Sequence, residues 1–408
     1  MQTNLPQVRV MVSRNQKASW TLFVCTATHV FVHVYTIIHT ALLPVFMAEF
    51  NLTIFESGLL ASIPLLVSVS FTFPYASLAD KVSPKKMITL SLLMSGLSGL
   101  ALTQANSFFM LLAPLTILQL SSTIYHPHAL AIVSELLPRN RRSRALGIHG
   151  AGGTAGMATG PITLGLVIAG FSWRFAYLVW VVPVLLSTFL LLKLPEAAPP
   201  SDNAPKKVED FTKHDDSDAA GKLRRAYLVL LVALTINGLG AQSLGTYMTT
   251  YLVSNRGLKE DVASFIYGLN SAVGILGSLG GGYLADVSGN KRWMTIAYVV
   301  GLFVAVGIWL GPLWALVIIY LTGGLFGAST MGPSTSMAAE FSHRNRRGSA
   351  YTIFMLPFSL IGAIAPIVAA KIIEQYNIQL LFPFAIFASL VSILFLQLLP
   401  KEKMFQRA

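Results

Sequence analysis

The sequence predicts an all-α membrane protein in which 12 transmembrane helices form two pseudo-symmetric six-helix bundles. Three observations predict it. Only 11% of the residues are charged and 54% are hydrophobic, where soluble domains carry about 25% charged residues. Twelve apolar stretches reach the length of roughly 20 residues that a hydrocarbon core of about 30 Å demands of a helix. A Pro-rich and charge-rich segment then separates six of these stretches from the other six. A soluble globular enzyme is excluded by this composition. A disordered chain is excluded too, because the 32 Gly and 20 Pro are dispersed among apolar runs and do not replace them.

The elements follow in order. Residues 1–18 carry Arg9, Arg14 and Lys17 without an acid, and the long apolar run after them lacks a small-residue cleavage site, so it reads as a retained span. The first bundle, residues 19–194, divides into spans at 19–47, 54–79, 86–104, 107–137, 143–170 and 173–194. Residues 195–222, with PEAAPPSDNAPKK and KHDDSD, have little to bury and form a linker. The second bundle, residues 223–400, divides at 223–253, 261–285, 292–311, 313–340, 348–374 and 378–400, and residues 401–408 form a tail. Trp20, Trp173, Trp293, Trp309 and Trp314 fall at span ends, where an indole is half wet.

Lys and Arg set the orientation. With the N-terminus cytoplasmic, 25 of the 29 basic residues lie inside and only Arg174, Arg256, Lys259 and Lys371 lie outside. Both termini are therefore expected in the cytoplasm of a multi-pass protein of the cell membrane. The net charge of +12 follows from topology and calls for no nucleic-acid partner. The single cysteine, Cys25, closes off disulfide and thiol redox chemistry.

An internal repeat runs through the chain. Leu78-Ala79-Asp80 returns as Leu284-Ala285-Asp286, 206 residues on; Glu135 with RNRR at 139–142 returns as Glu340 with RNRR at 344–347, 205 residues on; Gly160-Pro161 returns as Ala365-Pro366, again at 205. Matched offsets of unrelated motifs mean structurally repeated halves. The loop after the second span of each half resembles the G-x-x-x-D-[RK]-x-G-[RK]-[RK] pattern of the major facilitator superfamily. The second copy keeps Gly282, Asp286, Gly289 and Lys291; the first keeps Asp80, Lys81 and Lys85, with Ser83-Pro84 where Gly and a basic residue stand in the pattern. Glu135-x6-Arg142 and Glu340-x6-Arg347 resemble the E-x6-R element at the cytoplasmic ends of helices 4 and 10 of that family. The resemblance implies alternating access, with Asp80, Lys85, Glu135, Arg142, Asp286, Lys291, Glu340 and Arg347 as a conformational gate whose charge-assisted bonds form in one state and break in another.

In the fifth span, Gly147-x8-Gly156-x3-Gly160-Pro161 resembles an element associated with exporters of the superfamily. The small residues Gly156 and Gly160 let a neighbouring helix approach, and Pro161 permits bending.

No Asp, Glu, Lys or Arg falls in the middle of any span, so histidines are the candidates for intramembrane chemistry. His29 and His33 share a helix face at i and i+4. His29 lies about 15 Å beyond Ser19 and His126 about 16 Å before Leu137, at roughly 1.5 Å per residue, which places them at one depth. His128 is two residues from His126, with Pro127 between them. These imidazoles can join helices by hydrogen bonds, couple protons and bind substrate, or hold a transition metal. The second use is the one expected, because imidazole titrates nearest to physiological pH. No metal or cofactor is expected, since no carboxylate or thiol accompanies the group. Asn237, Gln242, Thr246 and Tyr247 in the seventh span and Ser334, Thr335 and Ser336 in the tenth add uncharged polar groups.

The stretches THVFVHVYTIIHTALLPVFMAEF and SSTIYHPHALA are most similar to the fosmidomycin-resistance branch of exporters. That resemblance expects histidine at 29, His-Pro at 126–127, and acids near 33 and at 128, where this chain has His33 and His128. The expected protein is thus a monomeric secondary transporter, not an enzyme. It moves a small organic solute outward in exchange for protons, with His29, His33, His126, His128, Asn237, Gln242, Tyr247, Ser334 and Thr335 as the substrate and proton site. An uptake symporter or facilitator of the same fold is the alternative. An intramembrane histidine metalloenzyme is more remote, because it lacks a general-base carboxylate at that depth, and a transporter-like receptor lacks an output domain.

Overall fold

The computed structural model describes residues 5–79, 82–136, 142–194, 218–340 and 347–400. Among these, the chain is helical and contains no strand. The helices of the first half are α1 (Leu5–Thr36), α2 (Ile38–Ala41), α3 (Leu43–Phe50), α4 (Ile54–Ala79), α5 (Pro84–Leu102), α6 (Phe108–Leu136), α7 (Arg142–Ile168) and α8 (Trp173–Leu190). Those of the second are α9 (Asp218–Thr246), α10 (Met248–Ser254), α11 (Glu260–Ser288), α12 (Asn290–Leu310), α13 (Leu313–Ala328), α14 (Met331–Glu340), α15 (Arg347–Gln375) and α16 (Leu381–Gln397).

Eleven stretches among the described residues are long and apolar enough to cross a membrane. The expected span at 86–104 is not among them, yet its helix is present as α5, 19 residues long. At about 1.5 Å per residue it reaches about 28 Å. Lys85 and Lys86 in its first turn, with Ser91, Ser95 and Ser98 along its body, dilute its apolar content. The single-span expectation at 19–47 resolves into α1, α2 and α3, and that at 223–253 into α9 and α10. The chain leaves helical geometry at Leu42 (φ −89°, ψ −1°) and at Tyr247 (φ −101°, ψ 14°). These breaks are 205 residues apart, so they belong to the repeat. Pro44 supplies a local cause at the first, since it has no amide to donate. The fourth span continues as α6 through Pro114 and Pro127, whereas the tenth is interrupted between α13 and α14.

Loop chemistry fixes the element ends. Asn51 closes α3 in the left-handed region (φ 52°). Two residues on, the Thr53 amide donates to Glu56 Oε2 at 2.8 Å and the Glu56 amide to Thr53 Oγ1 at 3.1 Å, a reciprocal cap opening α4. Gly289 closes α11 at φ 91°, a conformation that disfavours a side chain, while its repeat counterpart Ser83 turns the chain at φ −54° ahead of Pro84. The glycine of one loop and the Ser-Pro of the other are two solutions to one corner.

The chain forms two compact units, Met1–His39 with Ser70–Ala204 and Thr40–Val69 with Pro205–Ala408. In the first, α7 lies directly on α1. A Cβ at Gly152 would stand 2.7 Å from the Thr26 carbonyl oxygen, and one at Gly156 or Gly160 would collide with the carbonyl oxygen of Val30 or Val34. Val24, Cys25 and Val32 of α1 pack there with Tyr125, Ala129 and Ile132 of α6. In the second unit, α11 meets α13 the same way, with Gly277 against the Leu325 carbonyl and Gly281 against that of Ser329. Where the solvent is as apolar as the side chains, such close backbone contact supplies the packing energy.

Candidate functional site

The first unit brings three histidines to one point. His29 Nε2 lies 3.3 Å from His126 Nε2, and His33 Nε2 lies 3.1 Å from the same atom. One ligand atom from each of the three falls within 4.8 Å of the others. α1 contributes His29 and His33 one turn apart, and α6 contributes His126 opposite them.

The other ring nitrogens decide the tautomers. His29 Nδ1 is 2.7 Å from the His149 carbonyl oxygen and His126 Nδ1 is 2.6 Å from that of Ser122. A carbonyl only accepts, so each Nδ1 carries the proton and donates. His33 Nδ1 faces Thr36 Oγ1 at 3.3 Å, and that hydroxyl spends its own hydrogen on the His33 carbonyl oxygen at 2.9 Å. Thr36 Oγ1 thus stands beside the third ring, within reach of its Nδ1. His29 and His126 each point a bare Nε2 lone pair at a common centre, and His33 brings its Nε2 to the same place.

Aromatic stacking holds His29 in this pose. Its ring stacks on those of Tyr125, with centroids 5.5 Å apart and planes at 18°, and His149, at 4.2 Å and 13°, and these two also stack on each other at 6.2 Å and 20°. Tyr125 is fixed in turn, since its hydroxyl donates to the Cys25 carbonyl oxygen at 2.6 Å. Gly153 makes room, because a Cβ there would stand 2.6 Å from His29 Cε1. Sequence reasoning missed His149 and Gly153. Counting residues from the helix start places His149 shallow, and only the close contact of α7 with α1 reveals it as a neighbour.

The remaining candidates are placed elsewhere. His128 is buried, and its Nδ1 bonds the Ile124 carbonyl oxygen at 2.6 Å. It is not in the group, because residues two apart on a helix face different ways. In the second unit Asn237 Oδ1 accepts from Ser389 Oγ at 3.0 Å. Ser334 and Thr335 donate to the Met331 carbonyl oxygen of their own helix, each at 3.0 Å. Tyr247 is fully buried and pairs with Ser57 Oγ and the Ile54 carbonyl oxygen, both at 3.1 Å. The Gln242 side chain is exposed. The lysines expected at the gate hold helix ends. Lys85 Nζ donates to the carbonyl oxygens of Leu192 and Leu194, both at 3.1 Å, and Lys291 Nζ to those of Gln397 at 3.0 Å and Leu399 at 2.7 Å. Asp286 is exposed at the end of α11. Asp80 lies outside the described residues, as do the side chains of Glu135, Arg142 and Arg347.

A family model described as Major Facilitator Superfamily matches residues 24–313 and 230–407. The chain belongs to this superfamily. Solved structures of a bacterial homologue of the human lysosomal transporter Spinster share the superfamily fold with it. The unoccupied inward-facing form of that homologue superposes with a TM-score of 0.78 at 15% identity, covering 96% of this chain and 98% of the other. Among curated relatives, a cis,cis-muconate transport protein of Acinetobacter baylyi is 29% identical over 60% of each chain. The multidrug resistance protein MdtG of Serratia proteamaculans is 25% identical over 80% of this chain and 79% of its own. A riboflavin transporter of Clostridioides difficile, RibZ, is 23% identical over 52% of this chain and 44% of its own. The match thus spans about three fifths of the muconate relative and under half of the riboflavin one. As a member of the superfamily, the chain is a multi-pass membrane protein.

Proposed function

We propose that this superfamily member exchanges a small organic solute for protons in the outward direction, with the coupling proton received by the Nε2 lone pairs of His29, His33 and His126. One observation carries the reading: three imidazole nitrogens converge inside a helical unit whose spans place no carboxylate at that depth. A shared proton relieves the facing lone pairs, and its release lets a bound state give way to the other. The absence of intramembrane acids disfavours cationic solutes. Neutral or anionic ones fit better, in keeping with the muconate relative and with a probable sulfoacetate transporter of Cupriavidus necator, 27% identical over 57% of this chain. Gln242 is the polar group of the second unit best free to meet such a solute. Outward movement is supported by the Gly156/Gly160-Pro161 element and by the multidrug-resistance name of MdtG.

Proteoliposomes under an imposed pH gradient test this, with cis,cis-muconate, sulfoacetate and riboflavin as first solutes and empty liposomes as control. Accumulation on the acidic side is expected of exchange. Accumulation on the alkaline side makes the protein an uptake symporter, and flux indifferent to the gradient overturns proton coupling. The proposed cytoplasmic placement of both termini is checked by single cysteines at Ser201 and Asn106 in a Cys25-free chain, which should label from inside and outside respectively.

A further inference from the structure

The three Nε2 atoms present more than a proton acceptor. Because His29 and His126 donate outward through Nδ1, their Nε2 atoms meet at 3.3 Å lone pair against lone pair, and His33 Nε2 stands 3.1 Å from the same atom of His126. A positive ion at their centre turns that repulsion into coordination. Metal–nitrogen bonds of about 2.0–2.1 Å in tetrahedral geometry space the nitrogens about 3.3–3.4 Å apart, which two of the three edges here already approach. The outer hydrogen bonds match as well. Ligand imidazoles commonly donate their second N–H to a carbonyl or another oxygen, which fixes the ring and raises its basicity. The His149 and Ser122 carbonyls and the Thr36 hydroxyl do so for all three rings. Neutral nitrogen donors without carboxylates suit zinc, copper, nickel or cobalt, and they are poor ligands for magnesium or calcium.

We propose that His29, His33 and His126 form a binding site for a divalent transition-metal ion of the zinc class, held by their Nε2 atoms with a fourth position open. The site stands on ring orientation and spacing and does not rest on proton coupling or on any particular solute. His149 stacks on His29 without belonging to the donor set, and His128 Nδ1 bonds the Ile124 carbonyl of its own helix.

The test uses the full-length chain purified without a histidine tag, carrying His214→Gln and His343→Gln so that loop imidazoles do not contribute. Zinc is titrated against a chromophoric chelator, and cobalt is followed by its visible absorption. One zinc per chain, a low-coordinate cobalt spectrum and a rise in thermal midpoint with zinc are expected. His33→Gln or His126→Gln should weaken binding by more than the roughly 10- to 100-fold that loss of an outer hydrogen-bond partner costs. Thr36→Val, which keeps all three imidazoles and removes only the acceptor of His33 Nδ1, should weaken it within that range and stays informative should a histidine variant fail to fold. No stoichiometric metal, or equal binding by parent and variants, overturns the site. Because neither a solute nor a gradient enters the measurement, proton-coupled flux without metal binding would overturn this site alone. Metal binding in a carrier indifferent to pH would overturn the proton reading alone.

Discussion

In the first half, Lys85 holds the carbonyls of Leu192 and Leu194; in the second, 206 residues on, Lys291 holds those of Gln397 and Leu399. The helix breaks at Leu42 and Tyr247, 205 residues apart, likewise recur in both halves of the sequence. The membrane-embedded chemistry behaves otherwise. Positions 205 or 206 residues after His29, His33 and His126 are Leu234 or Thr235, Gly238 or Leu239, and Met331 or Gly332, without an imidazole among them. The repeat therefore carries the corners of the scaffold, and the imidazole group is confined to one copy. A site that serves coupling needs only one such centre, whereas both copies must turn corners and pack backbones.

The largest structural effect should come from breaking the close backbone contacts, one in each unit. Gly160→Leu drives a side chain into the Val34 carbonyl, and Gly281→Leu does the same at Ser329. Overpacking of this kind costs about 1–3 kcal/mol or more, so both variants should lose several degrees of thermal midpoint. Gly150→Ala, which meets nothing within 4 Å, should lose none. A Gly160→Leu protein as stable as the parent would show that close backbone contact does not carry the packing of α7 on α1.

Next in size is the gate. Asp286→Asn or Arg347→Ala should slow cycling about tenfold, the kinetic equivalent of one charge-assisted hydrogen bond of roughly 1.5–3 kcal/mol, with solute affinity changed little. Initial rates against half-saturation concentrations separate the two. A loss of affinity at normal turnover would move these residues from switching to binding.

The smallest effect sharpens the comparison most. Lys85→Met and Lys291→Met each remove a cation from the carbonyl end of a helix, worth about 0.3–1 kcal/mol, and the two midpoints should fall by equal amounts. Unequal losses would show that the halves have diverged at the corner where they look most alike.

How far the sequence reveals this depends on the kind of interaction. Hydropathy marks the spans because the bilayer imposes a length on every one of them, and it falters at α5, where two lysines serve a helix end. The repeat is legible in the loops because Asp, Gly and basic residues sit at fixed offsets. The pairing of His29 with His33 follows from helical periodicity, and the same periodicity argues against His128, two residues from His126. His149 was hidden, because its place depends on the distance between α1 and α7, which single-helix counting does not contain. The break at Leu42 had a local signal in Pro44, whereas that at Tyr247 was hidden because no Gly or Pro occupies the position, and its hydroxyl is held by tertiary bonds to Ser57 and Ile54.

The central claim is that coupling chemistry resides in the first unit's imidazoles. Its most direct test is accumulation driven by a pH gradient in proteoliposomes containing chelator, measured for the parent, His29→Gln and His126→Gln with a solute the parent carries. Glutamine keeps hydrogen-bonding capacity and does not titrate. Loss of gradient-driven accumulation with counterflow retained is the predicted result, since exchange of solute for solute moves no net proton. Accumulation by both variants with the parent's pH profile would contradict it and return the histidines to a structural role.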